Sequence, residues 1–154
     1  MVDAMSNHEI IQALSKYPSF IGVFPADINP LPRIRSFPAC YIMNTKDRSK
    51  RVGGHWLAFY LRNPTSLEFF DSLGLSLSTY VSIANYFSYL SNIKENITPL
   101  QLASSALCGD YCVTFLSLRI TTNSYPATLQ IISSHPKGEA RESFVRRLRL
   151  LNQK

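Results

Sequence analysis

The 154-residue chain is poor in cysteine, in acidic side chains and in long apolar runs. Its three cysteines, Cys40, Cys108 and Cys112, are few and odd in number. They exclude a disulfide-stapled scaffold and predict free thiols in a reducing compartment, the nucleus or cytoplasm. No apolar run approaches the 18 or so residues of a membrane-spanning helix. Met1 to Tyr17 lacks the apolar stretch behind positive charge that marks a secretory signal, so no membrane partner is expected. Ten acidic residues against 16 basic ones leave a net charge of +6, enough to make polyanions plausible partners without naming one. There is no internal repeat, low-complexity tract or linker, so residues 1–154 read as a single domain. What the chain does have is apolar content, 45%, which excludes disorder as the default.

Ser6 and Glu9 have capping-box spacing ahead of Ile10, Ile11 and Leu14, which predicts a first helix. Phe20–Phe24 and Ala39–Met43 read as short strands, separated by an extended loop carrying Pro25, Pro30, Pro32 and Pro38. His55–Leu61 and Ser66–Asp71 flank Asn63-Pro64-Thr65 and predict a β-hairpin. The spacing of Tyr80, Ile83, Ala84, Phe87 and Leu90 predicts a helix over Leu77–Ser91. Thr98–Leu102 reads as a short edge strand, given Pro99. Helices are predicted over Cys108–Leu118, Ala127–Ile132 and Glu139–Leu151. The last lies in a basic C-terminal region, 137–154, with Phe144, Val145, Leu148 and Leu151 on its apolar face. This order predicts an α+β fold with a central mixed or antiparallel sheet flanked by helices.

The hairpin carries the first chemical signal. With Asn63 at its centre, His55 and Asp71 pair directly, and their even separation places both on one face. A carboxylate on one ring nitrogen fixes the imidazole tautomer and leaves the other for proton transfer. The plain alternative is a structural His–Asp pair at a hairpin base. Cys108 opens a helix, where the positive end of the dipole favours a thiolate. Gly109 beside it lets another chain approach the backbone. A lone buried cysteine is more often a small core residue, and that reading suits Cys112, one turn further in. Zinc held by Cys108, Cys112 and His55 is disfavoured: the spacing is CxxxC and no second pair exists. Gln101, seven residues before Cys108, can supply a carboxamide N–H to an oxyanion.

Taken together, Gly53-Gly54-His55-Trp56, then Asp71, then Gln101, then Cys108-Gly109-Asp110-Tyr111-Cys112 resembles the adenovirus protease family, the adenain-type cysteine peptidases. The wider clan includes the SUMO- and NEDD8-specific proteases and shares the order His, Asp or Glu, Gln, Cys. Phe20–Phe24, Ala39–Thr45 and Gly53-Gly54 follow the same family's order, and the resemblance is strongest over 6–118. It implies Cys108 as nucleophile, His55 as base and then acid, Asp71 as the group orienting His55, and Gln101 with the Cys108 N–H as oxyanion hole. Trp56 packs beside the histidine. Asp71 stands where most adenovirus enzymes have Glu.

The resemblance further implies cleavage of viral or virus-like precursor proteins beside small, Gly-like residues, and packaging in a virion as one location. No cofactor is required for the chemistry, and no metal. Family members use DNA as an activating polyanion, a role open to Lys46, Arg48, Lys50 and Arg51 and to Arg146, Arg147 and Arg149. Solvated surface charge explains those residues equally well. The family's activating peptide binds through a disulfide upstream of the nucleophile. No cysteine lies between Cys40 and Cys108, so such a peptide would bind here without that bond. Two rivals remain. One keeps the site and acts on ubiquitin-like modifiers or transfers an acyl group. The other is a non-enzymatic, basic nucleic-acid-binding module derived from a protease.

Overall fold

A computed structural model describes residues 4–46 and 54–154. Ser6 caps α1 (Asn7–Leu14) with the expected reciprocal box: its side chain accepts the Glu9 N–H while Glu9 reaches back to the Ser6 N–H. Five strands follow in an α+β arrangement: β1 (Phe20–Phe24), β2 (Ala39–Asn44), β3 (Trp56–Asn63), β4 (Ser66–Phe70) and β5 (Asn92–Glu95). Their spatial order equals their sequence order. The two outer pairs are parallel and the inner ones antiparallel, so the sheet is mixed. The later helices are α3 (Cys108–Thr121), α4 (Tyr125–Ser133) and α5 (Glu139–Asn152).

Both faces of the sheet are covered, which explains why β2 and β3 are apolar almost without alternation. Cys40, Ile42, Ala58, Tyr60 and Phe70 face a core shared with α1, α3, α4 and α5. Tyr41, Met43, Leu57, Phe59 and Phe69 face a second core closed by Leu77, Ile83 and Phe87. Buried on both faces, such strands lose the period-2 signal that marks a half-solvated one.

Four expectations need correction. The hairpin turns at Pro64-Thr65, with Asn63 opposite Ser66 and Asn63 Oδ1 accepting the Thr65 N–H at 2.9 Å. With a register shift between Leu61 and Asn63, Ala58 then lies opposite Phe70. Continuing that register puts Leu57, not His55, across from Asp71. The displacement is two residues, so the face is preserved. The predicted Leu77–Ser91 helix is broken into a 3-10 turn (Leu77–Thr79), a single α turn, α2 (Val81–Ala84), and a second 3-10 turn (Asn85–Phe87). Serine and asparagine compete for the backbone there: Ser76 Oγ accepts the Ser78 N–H, and Ser88 Oγ donates to the Asn85 carbonyl. Thr98–Leu102 is not a strand. The edge strand is Asn92–Glu95, while the N–H groups of Leu100 and Gln101 both donate to the Ser72 carbonyl, at 2.8 and 2.9 Å. Finally, α5 does not bury Leu151, which is 59% exposed, but does bury Arg141. That guanidinium donates to the carbonyls of Leu100, Ser133 and His135.

Candidate active site

His55 is set by the β2–β3 ladder just before β3 begins. Its N–H donates to Thr45 Oγ1 at 3.0 Å, and its carbonyl accepts the Thr45 N–H at 2.9 Å. Gly54 makes that approach feasible: its φ is +98°, and an added Cβ would collide with Asn44 Oδ1. Asp71 follows β4 directly and is fully buried. Asn96 holds its backbone from both sides, accepting the Asp71 N–H at 2.9 Å and donating to its carbonyl at 2.5 Å.

The two side chains meet diagonally across the end of the hairpin. His55 Nε2 lies 2.6 Å from Asp71 Oδ1. That oxygen also accepts the Leu73 N–H at 2.9 Å, and Oδ2 accepts the Tyr80 hydroxyl at 2.6 Å. Three donors therefore fix the carboxylate, and Nδ1 is the ring nitrogen left over. The Cys108 thiol lies near enough to the ring to favour its protonated form, as Asp71 does. Burial works against the imidazolium, but Asp71 and Cys108 outweigh it and push His55 up to about 9.

Cys108 is the first residue of α3 and is 8% exposed. The N–H groups of a first helical turn have no partner within the helix and point toward whatever faces that end. Gly109 packs against other segments of this chain: an added Cβ would lie 2.9 Å from Met5 Cβ and 3.2 Å from Trp56 Cδ1. Trp56 Nε1 donates to the Met5 carbonyl at 3.1 Å, which ties the segment before α1 to the site. Cys112 is fully buried, with its Sγ 3.3 Å from the Trp56 carbonyl. Burial pushes the thiols of both Cys112 and Cys40 up, Cys40 to about 12.

Gln101 is buried beside Asp71 by way of Ser72. Its Oε1 accepts the Ser72 hydroxyl at 2.5 Å, and its Nε2 donates to the Ser105 carbonyl at 2.6 Å. A carboxamide has two N–H donors, so one remains after that bond. Ser105 Oγ in turn accepts the Leu107 N–H at 3.1 Å, which joins Gln101 to the turn that delivers Cys108.

Three residues of the constellation are missing from the sequence reading. Tyr80 reads there as part of an apolar helical stripe, yet its φ of −101° and ψ of 75° break the helix and its hydroxyl turns to Asp71. Asn96 and Ser72 carry no motif at all. Among the described residues no group of three or more His, Cys, Asp or Glu side chains is gathered as a metal requires. None of their helices is long and apolar enough to cross a membrane.

The basic residues divide. Arg48, Lys50 and Arg51 lie outside the described residues, as does Gly53. Lys46 is half-buried, Arg146 is half-buried and Arg147 is exposed. Arg149 is turned inward: it pairs with Glu9 and sits 3.5 Å from Asp110, with its side chain 14% exposed. Its charge is matched by carboxylates rather than presented to a polyanion.

No protein-family model matches the chain, and no curated protein matches it in sequence. Solved structures do. ChlaDub1 from Chlamydia trachomatis is similar with a TM-score of 0.59 and 17% identity, over 100% of this chain and 95% of that one. The central domain of the uncharacterized Lpg1148 protein from Legionella pneumophila is similar with a TM-score of 0.53 and 16% identity, over 99% and 98%. At such identities the likeness is one of fold. It extends to the fold of ChlaDub1 and does not reach the adenovirus family that the motifs resemble.

Proposed function

We propose that this chain is a cysteine endopeptidase, with Cys108 as nucleophile, His55 as proton carrier, Asp71 as the group that orients His55, and Gln101 in the oxyanion hole. The observation that carries the reading is a single imidazole bonded to a buried carboxylate through Nε2, with a helix-terminal thiol close enough to act on the same ring. Activation of a thiol by an adjacent, oriented base is the general requirement for such a nucleophile. The cysteine-protease fold shared with ChlaDub1 supports the same class.

In the proposed reaction the Cys108 thiolate attacks the scissile carbonyl carbon and its electron pair forms the C–S bond. The carbonyl oxygen takes up the displaced pair. The Cys108 N–H and the remaining Gln101 N–H stabilise that oxyanion, a donor of this kind contributing about 2.7–4 kcal/mol. As the C–N bond breaks, His55 gives its proton to the leaving amine. Neutral His55 then takes a proton from water, whose oxygen attacks the thioester and releases the acid and Cys108. Small residues beside the cleaved bond fit a site approached through Gly54, and virus-like precursor proteins are the substrate class that the motif resemblance favours.

A peptide probe ending in Gly-Gly with a terminal electrophile tests the assignment. Mass spectrometry should find the label on Cys108 and not on the buried Cys40 or Cys112. Cys108→Ala should abolish both labelling and precursor cleavage while melting like the parent. Equal labelling of all three thiols, or cleavage surviving in Cys108→Ala, refutes the assignment.

A further inference from the structure

Next to the segment that delivers Cys108 lies a cavity that the proposed reaction leaves unused. It measures about 510 Å3 and opens between Leu102, Ser105 and Leu107 on one side and Glu139, Glu142 and Arg146 of α5 on the other. Its polar wall is incomplete. Glu142 is only 7% exposed, yet its Oε2 has no hydrogen-bond partner among the described residues, and neither has Nε of Arg146. The Tyr111 hydroxyl lies near the Glu142 carboxylate but donates its proton to the Leu100 carbonyl at 3.3 Å. A buried carboxylate oxygen stripped of water and given no donor is costly unless a ligand supplies one.

The charge of the cavity narrows the ligand. Its lining holds two carboxylates and one guanidinium, a negative balance inside a chain of net charge +6. The guanidinium of Arg146 also acts on the buried carboxylate of Asp110, so its charge is not directed at the cavity alone. Leu102 and Leu107 offer apolar wall for a long aliphatic stem, and such stems lie along apolar surface while the charged head finds its partner. Ser105 joins the cavity to the catalytic constellation, because its carbonyl holds Gln101 Nε2 at 2.6 Å.

We propose that this cavity is a substrate subsite for a lysine or arginine side chain of the polypeptide being cleaved, with the cationic head on Glu142 and a main-chain carbonyl of the same polypeptide on Arg146 Nε. The proposal rests on the endopeptidase reading and gives it a specificity that the catalytic residues do not supply. It also places the selecting charge on α5, outside the stretch that carries the catalytic motifs.

The test uses the full chain with Cys108→Ala, so that peptides bind without being cut. Fluorescently labelled peptides built around Gly-Gly carry alanine, lysine or glutamate at each flanking position in turn. Anisotropy titrations should find one position at which lysine binds about ten-fold tighter than alanine, the scale of one charge-assisted bond to a buried group, and glutamate more weakly. Adding Glu142→Gln, which keeps the size of the side chain and removes its charge, should erase that preference. Ser143→Lys, which brings a resident cation to the lining, should erase it independently, and thermal melts show which variants are folded. Equal binding of the three peptides at every position, a glutamate preference, or a lysine preference surviving both substitutions overturns the subsite. Cleavage by the unsubstituted chain is measured in parallel. Thiol-dependent cleavage without basic selectivity sinks the subsite alone, whereas the absence of such cleavage sinks the endopeptidase reading.

Discussion

Asp110→Asn is expected to stabilise this protein at neutral pH, although Asp110 lies beside the Arg149 guanidinium. The residue sits in the first turn of α3, two positions after Cys108, and is fully buried. Neither carboxylate oxygen has a hydrogen-bond partner among the described residues. Arg149 Nη1 lies 3.5 Å from Oδ2, but that guanidinium is shared with Glu9. Burial dominates and pushes Asp110 from an ordinary 3.8 up to about 6, with Arg149 pulling the other way. A raised value means that the folded state holds the proton more tightly than the unfolded one. The associated stability is complete below about 3.8 and is lost as pH rises through about 6. A gap of about two pH units, at 1.36 kcal/mol each, is worth about 3 kcal/mol.

Asparagine keeps the neutral form at every pH. Thermal melts at pH 7.5 should therefore show Asp110→Asn above the parent by up to roughly 6–12 °C, since 1 kcal/mol moves the midpoint of a domain this size by about 2–4 °C. The advantage should shrink steadily as pH falls from 7 to 4. If Asp110→Asn melts below the parent at pH 7.5, the Arg149 contact outweighs desolvation and the reasoning fails. A difference independent of pH would mean that the carboxyl does not titrate in this range.

Further predictions concern the site itself. Asp71→Asn should cut turnover by roughly 10^3- to 10^4-fold, the scale seen when a triad carboxylate becomes an amide, whereas Tyr80→Phe, which removes one of three donors to Asp71, should cost about ten-fold. Equal effects of the two would remove Asp71 from the orienting role. Turnover should fall as pH rises through about 9, where His55 loses the proton that it gives to the leaving amine. The sign for stability is the same: the His55 contribution is complete below about 6.5 and is lost as pH rises through about 9. The alkaline limb should move to lower pH in Asp71→Asn, since the hydrogen bond that raises His55 is weakened; an unmoved limb contradicts that cause. Gly109→Ala should destabilise by up to about 2 kcal/mol, because overpacking against Met5 and Trp56 exceeds the helix-propensity gain, and a higher urea midpoint would refute it.

The features legible in the sequence are those whose physics is local. The capping box at Ser6 and Glu9, the strand Phe20–Phe24 and the helix opening at Cys108 each follow from a few adjacent residues, and each is present. The edge strand Asn92–Glu95 was not legible because its residues are mostly exposed and carry no apolar alternation. It pairs parallel to β4, with Asn92 Nδ2 also donating to Ser66 Oγ at 3.2 Å. The helix predicted over Leu77–Ser91 failed in the opposite way. Its apolar period is real, since Leu77, Ile83 and Phe87 do pack in the second core, but serine and asparagine side chains break the backbone between them.

The pairing of His55 with Asp71 shows why a site can be legible while its register is not. The pairing is displaced by two residues from the one that a centre at Asn63 gives: the Pro64-Thr65 turn moves it by three, and the register shift between Leu61 and Asn63 takes one back. A displacement of one would have sent the imidazole and the carboxylate to opposite faces. A displacement of two keeps the face and turns a direct pair into a diagonal one, and diagonal neighbours about 7–8 Å apart at Cα remain within reach of long side chains. The even separation of the two residues keeps them on one face only together with the register shift between Leu61 and Asn63, and the turn centre was the fragile part. What holds the diagonal geometry lies elsewhere in the chain. Tyr80 and Asn96 fix Asp71 from nine and twenty-five residues away, and neither is announced by any local pattern. Residues that react are constrained by chemistry to a few types in a fixed order, whereas residues that position them need only a donor or acceptor at the right place in space.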